Sequence, residues 1–135
     1  MEAATNLRKP VRVLIVDDHR MFAEALEAIL ASDGRIAIAG HAGTGEEAID
    51  VARSARPDVV LMDIAMPGMD GLEATRRIAD EVPSTAILML TGSNSRIDVD
   101  DARQAGAAGY VTKDRIAAEL VGAILEVAQT PSPLR

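Results

Sequence analysis

The sequence predicts an α/β fold in which helices cover both faces of a doubly wound, parallel sheet of five strands. Five short apolar runs alternate along the chain with longer segments whose apolar residues recur at helical spacing. The apolar runs are near-continuous in Val, Ile and Leu, which is typical of strands that a parallel sheet buries on both faces. The 135 residues are enough for one domain with a single core.

The five predicted strands are short, and polar residues follow most of them. They cover residues 11–16, 36–39, 59–62, 86–90 and 109–111. We expect one domain over residues 11–128, with an N-terminal extension at residues 1–10 and a linker or C-terminal tail at residues 129–135, which contains two prolines.

Helical spacing predicts a helix after each strand. The first helix has one apolar face, formed by Phe22, Ala25, Leu26, Ile29 and Leu30. The second begins at Thr44, with Glu47 three residues later as in a capping box, and ends before Pro57.

The remaining three helices are predicted from their start and stop signals. The third starts near Asp70 and ends before Pro83, and the fourth covers residues 95–105. The fifth begins at Asp114 and carries one apolar face, formed by Ile116, Leu120, Val121, Ile124 and Val127.

Composition excludes several classes of function. The net charge of −7 opposes DNA binding by this segment, because phosphate contacts need clustered Lys and Arg. The absence of cysteine rules out disulfides, thiolate metal sites and cysteine nucleophiles. The N-terminus lacks the apolar stretch of a signal peptide and no apolar run reaches membrane-spanning length, so we expect a cytoplasmic protein without membrane contact.

Polar residues follow four of the five predicted strands. Asp17 and Asp18 follow the first strand, Asp63 the third, Thr91 the fourth and Lys113 the fifth. In a sheet of this kind, ligands bind outside the carboxyl ends of the strands, where the strand order reverses. We therefore expect these side chains to lie at one edge of the sheet.

The three carboxylates suggest a divalent cation site. Adjacent charges at Asp17 and Asp18 repel each other, and a nearby cation would offset that repulsion. Mg²⁺ prefers such hard oxygen ligands, and Mn²⁺ is an alternative. A carboxylate beside Mg²⁺ can attack phosphorus, and Asp63, Lys113 and Thr91 fit the roles of nucleophile, cation and hydroxyl donor.

Four stretches of the chain carry a resemblance to a known family. VLIVDDHRMF, PDVVLMDIAMPGMDGLEATRRI, ILMLTG and AGAAGYVTKD, in this order and spacing, resemble the receiver domains of two-component response regulators. The DDH start, GEEA, MPGMDG and GYVTKD are most similar to the NarL/FixJ, or LuxR-type, subfamily. The resemblance runs from about residue 11 to residue 127, and it implies a flavodoxin-like receiver with strand order 2-1-3-4-5 over residues 11–128.

The resemblance also implies a phosphorylation site. Asp63 would accept a phosphoryl group from the phosphohistidine of a sensor histidine kinase, or from a small donor such as acetyl phosphate. Asp18 and Asp63 would bind Mg²⁺ directly and Asp17 through water, with the backbone carbonyl of Ala65 as a further ligand. The usual side chain at position 65 is polar or charged, so Ala65 departs from the family pattern.

A conformational switch is the second implication of the resemblance. Thr91 would bond a phosphoryl oxygen, Lys113 would pair with the same group, and Tyr110 would turn inward as Thr91 moves. The surface so altered would bind a partner or a second copy of the chain. The resemblance further implies control of transcription through a C-terminal helix-turn-helix domain, and no enzymatic turnover beyond the protein's own phosphorylation and dephosphorylation.

Three alternatives remain open from the residues. Gly43, Gly45 and Ala48 match the dinucleotide-binding pattern G-x-G-x-x-A, although Glu46 and Glu47 in the same turn would repel a pyrophosphate. A Mg²⁺ phosphatase with an aspartate nucleophile would carry a second acid at position 65. The third alternative is a receiver-like docking module that is never phosphorylated. The loss of an acid, the threonine or the lysine would favour this alternative, and all are present. His19 is weak as a metal ligand, because Mg²⁺ disfavours imidazole.

Overall fold

The computed structural model describes residues 9–64, 71–92 and 96–129, the first four residues of the last range as backbone only. The strands are β1 (Val11–Val16), β2 (Ile36–Ala42), β3 (Val59–Asp63), β4 (Ala86–Thr91) and β5 (Gly109–Thr112). The helices are α1 (Arg20–Ala31), α2 (Gly45–Ala55), α3 (Gly71–Glu81), α4 (Arg96–Ala105) and α5 (Ile116–Gln129), with a short 3₁₀ turn at Lys113–Arg115.

All five strands are parallel and lie in the order β2-β1-β3-β4-β5. This order confirms the predicted doubly wound, flavodoxin-like fold. The chain passes from β1 to β2 on one side of β1 and then crosses to β3 on the other side of β1. The strand order therefore reverses between β1 and β3, so their carboxyl ends flank the crevice where such sheets bind ligands.

Helices cover both faces of the sheet. Alternate residues of β1 point to opposite faces, so Val13 and Ile15 pack with α1 and α5, whereas Leu14 and Val16 pack with α2, α3 and α4. Every residue of the central strands β3 and β4 is buried. The residues at the carboxyl ends of these strands are therefore held by a closely packed support on both faces.

The buried face of α1 differs from the predicted one. Leu26 and Leu30 are buried as expected and Phe22 is partly buried, but the third buried residue is Ala23. Ala25 and Ile29 are exposed. The apolar stripe of this helix is wider than its contact with the sheet, and these two residues lie at its outer border.

The predicted capping box of α2 is present in a modified form. The Thr44 hydroxyl accepts a hydrogen bond from the Glu47 N–H, at 3.0 Å. The Glu47 carboxylate in turn accepts the N–H of Gly43, one residue before the cap, at 2.8 Å. Arg56 ends the helix in the left-handed region, with φ of 45°, directly before Pro57.

Two predicted boundaries were wrong by a few residues. The second strand extends three residues beyond the predicted end, to Ala42, because its pairing with β1 continues past a bulge between Ile38 and Gly40. The last helix begins at Ile116 instead of Asp114, because Lys113–Arg115 first form the 3₁₀ turn.

The predicted helix start at Asp70, most of the N-terminal extension and nearly all of the C-terminal tail lie outside the described residues. Within the described chain, every helix is too short or too polar to cross a membrane.

Candidate functional site at the carboxyl edge of the sheet

Two carboxylates meet where the strand order reverses. Asp17 directly follows β1, where its N–H bonds the Ala42 carbonyl of β2, and Asp63 is the last residue of β3. Asp18 is the next residue along the chain. Ligand atoms of these three acids and of His19 all lie within 4.8 Å of one another, so the predicted acidic cluster is present.

Burial distinguishes the members of this cluster. The side chains of Asp17 and Asp63 are 0% and 1% exposed, whereas that of Asp18 is 26% exposed. Burial raises the pKa of Asp17 above its ordinary value, and the Asp63 carboxyl raises it further. The His19 N–H, 2.8 Å from Asp17 Oδ1, and the ammonium of Lys113 lower that pKa in part.

The chemistry of this donor set fits a hard divalent cation. Asp17 Oδ2 is buried and accepts no hydrogen bond from the described part of the chain, and such a group costs free energy unless something pairs with it. Mg²⁺ binds through one or two carboxylates and keeps several waters, so one exposed and two buried acids suit it. The His19 ring is 73% exposed and its Nδ1 lies 3.4 Å from Asp18 Oδ1, at the solvent side of the cluster.

Lys113 extends from the residue after β5 to the buried acid of β3. Its Nζ lies 3.3 Å from Asp63 Oδ1, and its side chain is 32% exposed. The same nitrogen lies 5.1 Å from the centroid of the Phe22 ring, within cation–π range. Phe22 was predicted only as an apolar residue of the first helix, and its place four residues after Asp18 is the sequence signal for this contact.

The two predicted switch residues lie on neighbouring strands but in different environments. Thr91 ends β4 and is fully buried, next to β3, whose Asp63 is in register with Leu90. Tyr110 lies on the edge strand β5 and is 40% exposed. Thr91 therefore lies beside the strand that ends in Asp63, whereas Tyr110 is partly open to solvent. Ala65, the predicted backbone ligand, lies outside the described residues.

The predicted site residues did not include Gly71, the first residue of α3. A Cβ atom at position 71 would overlap the backbone carbonyl of Asp63 and lie 2.9 Å from the Ile64 Cα. Glycine at this position therefore lets α3 pack directly against the backbone of the buried acid.

The dinucleotide-binding alternative does not fit the loop after β2. The Gly43 N–H, which would have to face a pyrophosphate, already bonds the Glu47 carboxylate. Acids make up half of the residues that line a cavity of about 430 Å³ beside this loop, among them Asp18, Glu24, Glu27 and Glu47. Carboxylates in these positions repel the phosphates that a helix N-terminus would otherwise attract.

Comparison with known proteins decides the family. The family described as response regulator receiver domain matches residues 13–125. This chain belongs to that family. The receiver is 42% identical over 114 residues to the response regulator GacA of Pseudomonas viridiflava, covering 84% of this chain and 53% of GacA. It is 37% identical over 121 residues to the transcriptional regulatory protein MctR of Rhizobium johnstonii, covering 90% and 56%.

A solved structure supports the same assignment. The receiver superimposes on a two-component response regulator of the LuxR family from an Aurantimonas species with a TM-score of 0.87 and 33% identity. The match covers 93% of this chain and 90% of the other. The predicted receiver family and its similarity to LuxR-type regulators are thus confirmed. The receiver spans about half the length of the two curated relatives.

Proposed function

We propose that this receiver accepts one phosphoryl group on Asp63 and uses the added charge to change a binding surface. The observation that supports the proposal is the meeting of Asp17, Asp18, Asp63 and Lys113 at one edge of the sheet. Buried carboxylates that lie close together destabilise a fold, and such costly arrangements are concentrated at functional sites. Phosphoryl transfer is a purpose that requires such a pre-arranged set of charges.

The transfer step follows from the positions of the side chains. An Asp63 carboxylate oxygen attacks the phosphorus of the donor, a phosphohistidine of a sensor kinase or acetyl phosphate. A P–O bond forms to Asp63, while the P–N bond to imidazole or the P–O bond to acetate breaks. Lys113 is close enough to balance charge on Asp63, and the Thr91 hydroxyl would donate a hydrogen bond to a phosphoryl oxygen.

A bound Mg²⁺ would neutralise negative charge on the phosphoryl oxygens and on the acids. We propose Asp18 and Asp63 as its direct ligands and Asp17 as a ligand through water, with Mn²⁺ as a substitute. The buried oxygen of Asp17 and the raised pKa of its carboxyl support a cation at this point. The backbone carbonyl of Ala65 is proposed from the family pattern alone.

Phosphorylation is proposed to select between two conformations of the receiver. In the present conformation Tyr110 is 40% exposed, which fits the state without phosphate. Movement of Thr91 toward the phosphoryl group would let Tyr110 turn inward and change the surface around β5. A second copy of the receiver is the proposed partner for that surface.

The setting of the receiver is proposed from its relatives. MctR is named a transcriptional regulatory protein, and we propose that this receiver likewise controls transcription in the cytoplasm under a sensor histidine kinase. With 14 basic and 21 acidic residues in the chain, DNA contact would come from a C-terminal helix-turn-helix domain rather than from the receiver. We further propose no catalysis beyond the receiver's own phosphorylation and dephosphorylation.

The deciding experiment measures intact mass after incubation with acetyl phosphate. We expect the gain of one phosphoryl group only when Mg²⁺ is present, no gain in Asp63→Asn, and an unchanged gain in Asp80→Asn, which replaces an exposed acid of α3. If no phosphoryl group is gained under any condition, the receiver is a docking module that is never phosphorylated. Multiple turnover of a chromogenic phosphate ester would instead identify a phosphatase.

A further inference from the structure

Thr112 is a buried threonine next to the proposed switch. It ends β5 and is in register with Thr91 at the end of β4. Residues in register on parallel strands point to the same face, so both side chains lie on the face of the sheet covered by α2, α3 and α4. Thr112 is 5% exposed.

The Thr112 hydroxyl has no hydrogen-bond partner among the described residues. Its Oγ1 is buried and makes no hydrogen bond within the described part of the chain. Thr112 is also the cap residue of the 3₁₀ turn Lys113–Arg115, yet its side chain makes no capping bond there. A buried hydroxyl without a partner destabilises the conformation in which it occurs and needs a physical explanation.

The position of β4 between β3 and β5 supplies that explanation. Thr91 has the strand of Asp63 on one side and Thr112 on the other. A threonine hydroxyl carries one proton, so once Thr91 donates it to a phosphoryl oxygen, its Oγ1 can only accept on the opposite side. Neighbouring strands lie about 4.8 Å apart, which lets two hydroxyls in register reach hydrogen-bonding distance by side-chain rotation.

We propose that Thr112 is a positioning residue of the switch, whose hydroxyl donates to Thr91 Oγ1 when Thr91 donates to the phosphoryl group on Asp63. This inference rests on the proposed phosphorylation of Asp63. The two bonds point in the same direction, so each strengthens the other. Thr112 thus gains a partner only in the phosphorylated conformation and favours that conformation.

The test measures binding of beryllium fluoride, a stable mimic of a phosphoryl group on a carboxylate, in the presence of Mg²⁺. Affinity is read from the rise in thermal unfolding temperature with ligand concentration. We expect Thr112→Val to bind about fivefold more weakly than the wild type, the effect of one net hydrogen bond. Thr112→Ser keeps the hydroxyl and should bind like the wild type. In a Thr91→Val background, Thr112→Val should have no further effect.

Each other outcome overturns the inference. Equal affinity of wild type and Thr112→Val would show that the hydroxyl is not used. Weaker binding by Thr112→Ser than by the wild type would show a role in packing. Weaker binding by the double variant than by Thr91→Val alone would show a contact independent of Thr91. Without ligand, Thr112→Val should unfold no earlier than the wild type, because it loses only an unpartnered group. If the wild type itself gains no phosphoryl group from acetyl phosphate, the proposed function fails, and this inference fails with it.

Discussion

Lys113 Nζ lies 3.3 Å from Asp63 Oδ1, so the residue after the edge strand supplies a positive charge to the buried acid of the central strand. The Phe22 ring lies on another side of the same ammonium, 5.1 Å away. The carboxylate and the aromatic face both attract the ammonium and hold it over the site. Lys113 is therefore the first group that a negative charge added at Asp63 would attract.

Replacing Lys113 should separate phosphorylation from its consequence. We expect Lys113→Ala to be phosphorylated at Asp63. Its conformational response per phosphoryl group should fall about tenfold or more, because a charge-assisted hydrogen bond to the phosphoryl group is lost. Tyrosine fluorescence of Tyr110, the chain's one tyrosine in the absence of tryptophan, reports the response per phosphoryl group bound. Lys9→Ala, at an exposed position, is the matched control. An undiminished response in Lys113→Ala would remove this lysine from the switch.

Phe22 should affect the site through its ring face. Phe22→Leu keeps the apolar contact with the core but removes the cation–π partner of Lys113. We expect the apparent affinity for beryllium fluoride to fall by about two- to fivefold, as for the loss of a cation–π contact of roughly 0.5–1 kcal/mol. The same substitution combined with Lys113→Ala should add nothing. A full additional loss in the double variant would assign the effect to packing instead.

Thr91 is expected to act after modification and not before it. Thr91 is not one of the residues of the acidic cluster, so we expect Thr91→Ala to leave that cluster in place. The variant should take up one phosphoryl group from acetyl phosphate yet fail to change oligomeric state or Tyr110 fluorescence. Light scattering beside intact mass measures both properties on the same sample. Retention of the full response would exclude Thr91 from the mechanism.

Gly71 should be intolerant of any side chain. In Gly71→Ala the new methyl group overlaps the Asp63 carbonyl, so we expect a loss of about 1–3 kcal/mol in the free energy of unfolding, as in other overpacked sites. The phosphorylation rate should fall as well, since the backbone of the acceptor must shift. Gly122→Ala in α5 meets no atom within 4 Å and should stabilise the chain by about 0.5–1 kcal/mol. Equal stability of the two variants in urea denaturation would contradict this role for Gly71.

The sequence was sufficient to predict the sheet and most of the acidic site. Near-continuous apolar runs identify the buried strands, and the carboxyl ends of parallel strands necessarily share one edge. Asp17, Asp63 and Lys113 were predicted from their positions directly at or after strands, which pattern reasoning locates well.

What the sequence could not supply depends on contacts between distant segments. The close approach of Gly71 to Asp63 and the cation–π contact of Phe22 with Lys113 join residues that no periodicity relates. The unpartnered hydroxyl of Thr112 likewise follows from burial in three dimensions. Helix α1 was misread for the same reason, because the width of the sheet contact decides which apolar residues are covered.

Asp17 should lower stability at neutral pH when no cation is bound. Its pKa is raised from the ordinary value of 3.8, chiefly by burial and further by Asp63. The folded chain therefore holds a proton that the unfolded chain releases, and stability falls as pH rises from about 4 through the raised pKa. We expect Asp17→Asn to be more stable than the wild type at pH 7 and to lose this pH dependence, which thermal unfolding across pH measures. Mg²⁺ should stabilise the wild type more than the variant, whereas the exposed-site control Asp80→Asn should respond like the wild type. A variant less stable than the wild type at pH 7 without Mg²⁺ would show that Asp17 supports the fold and is not held there at a cost for cation binding.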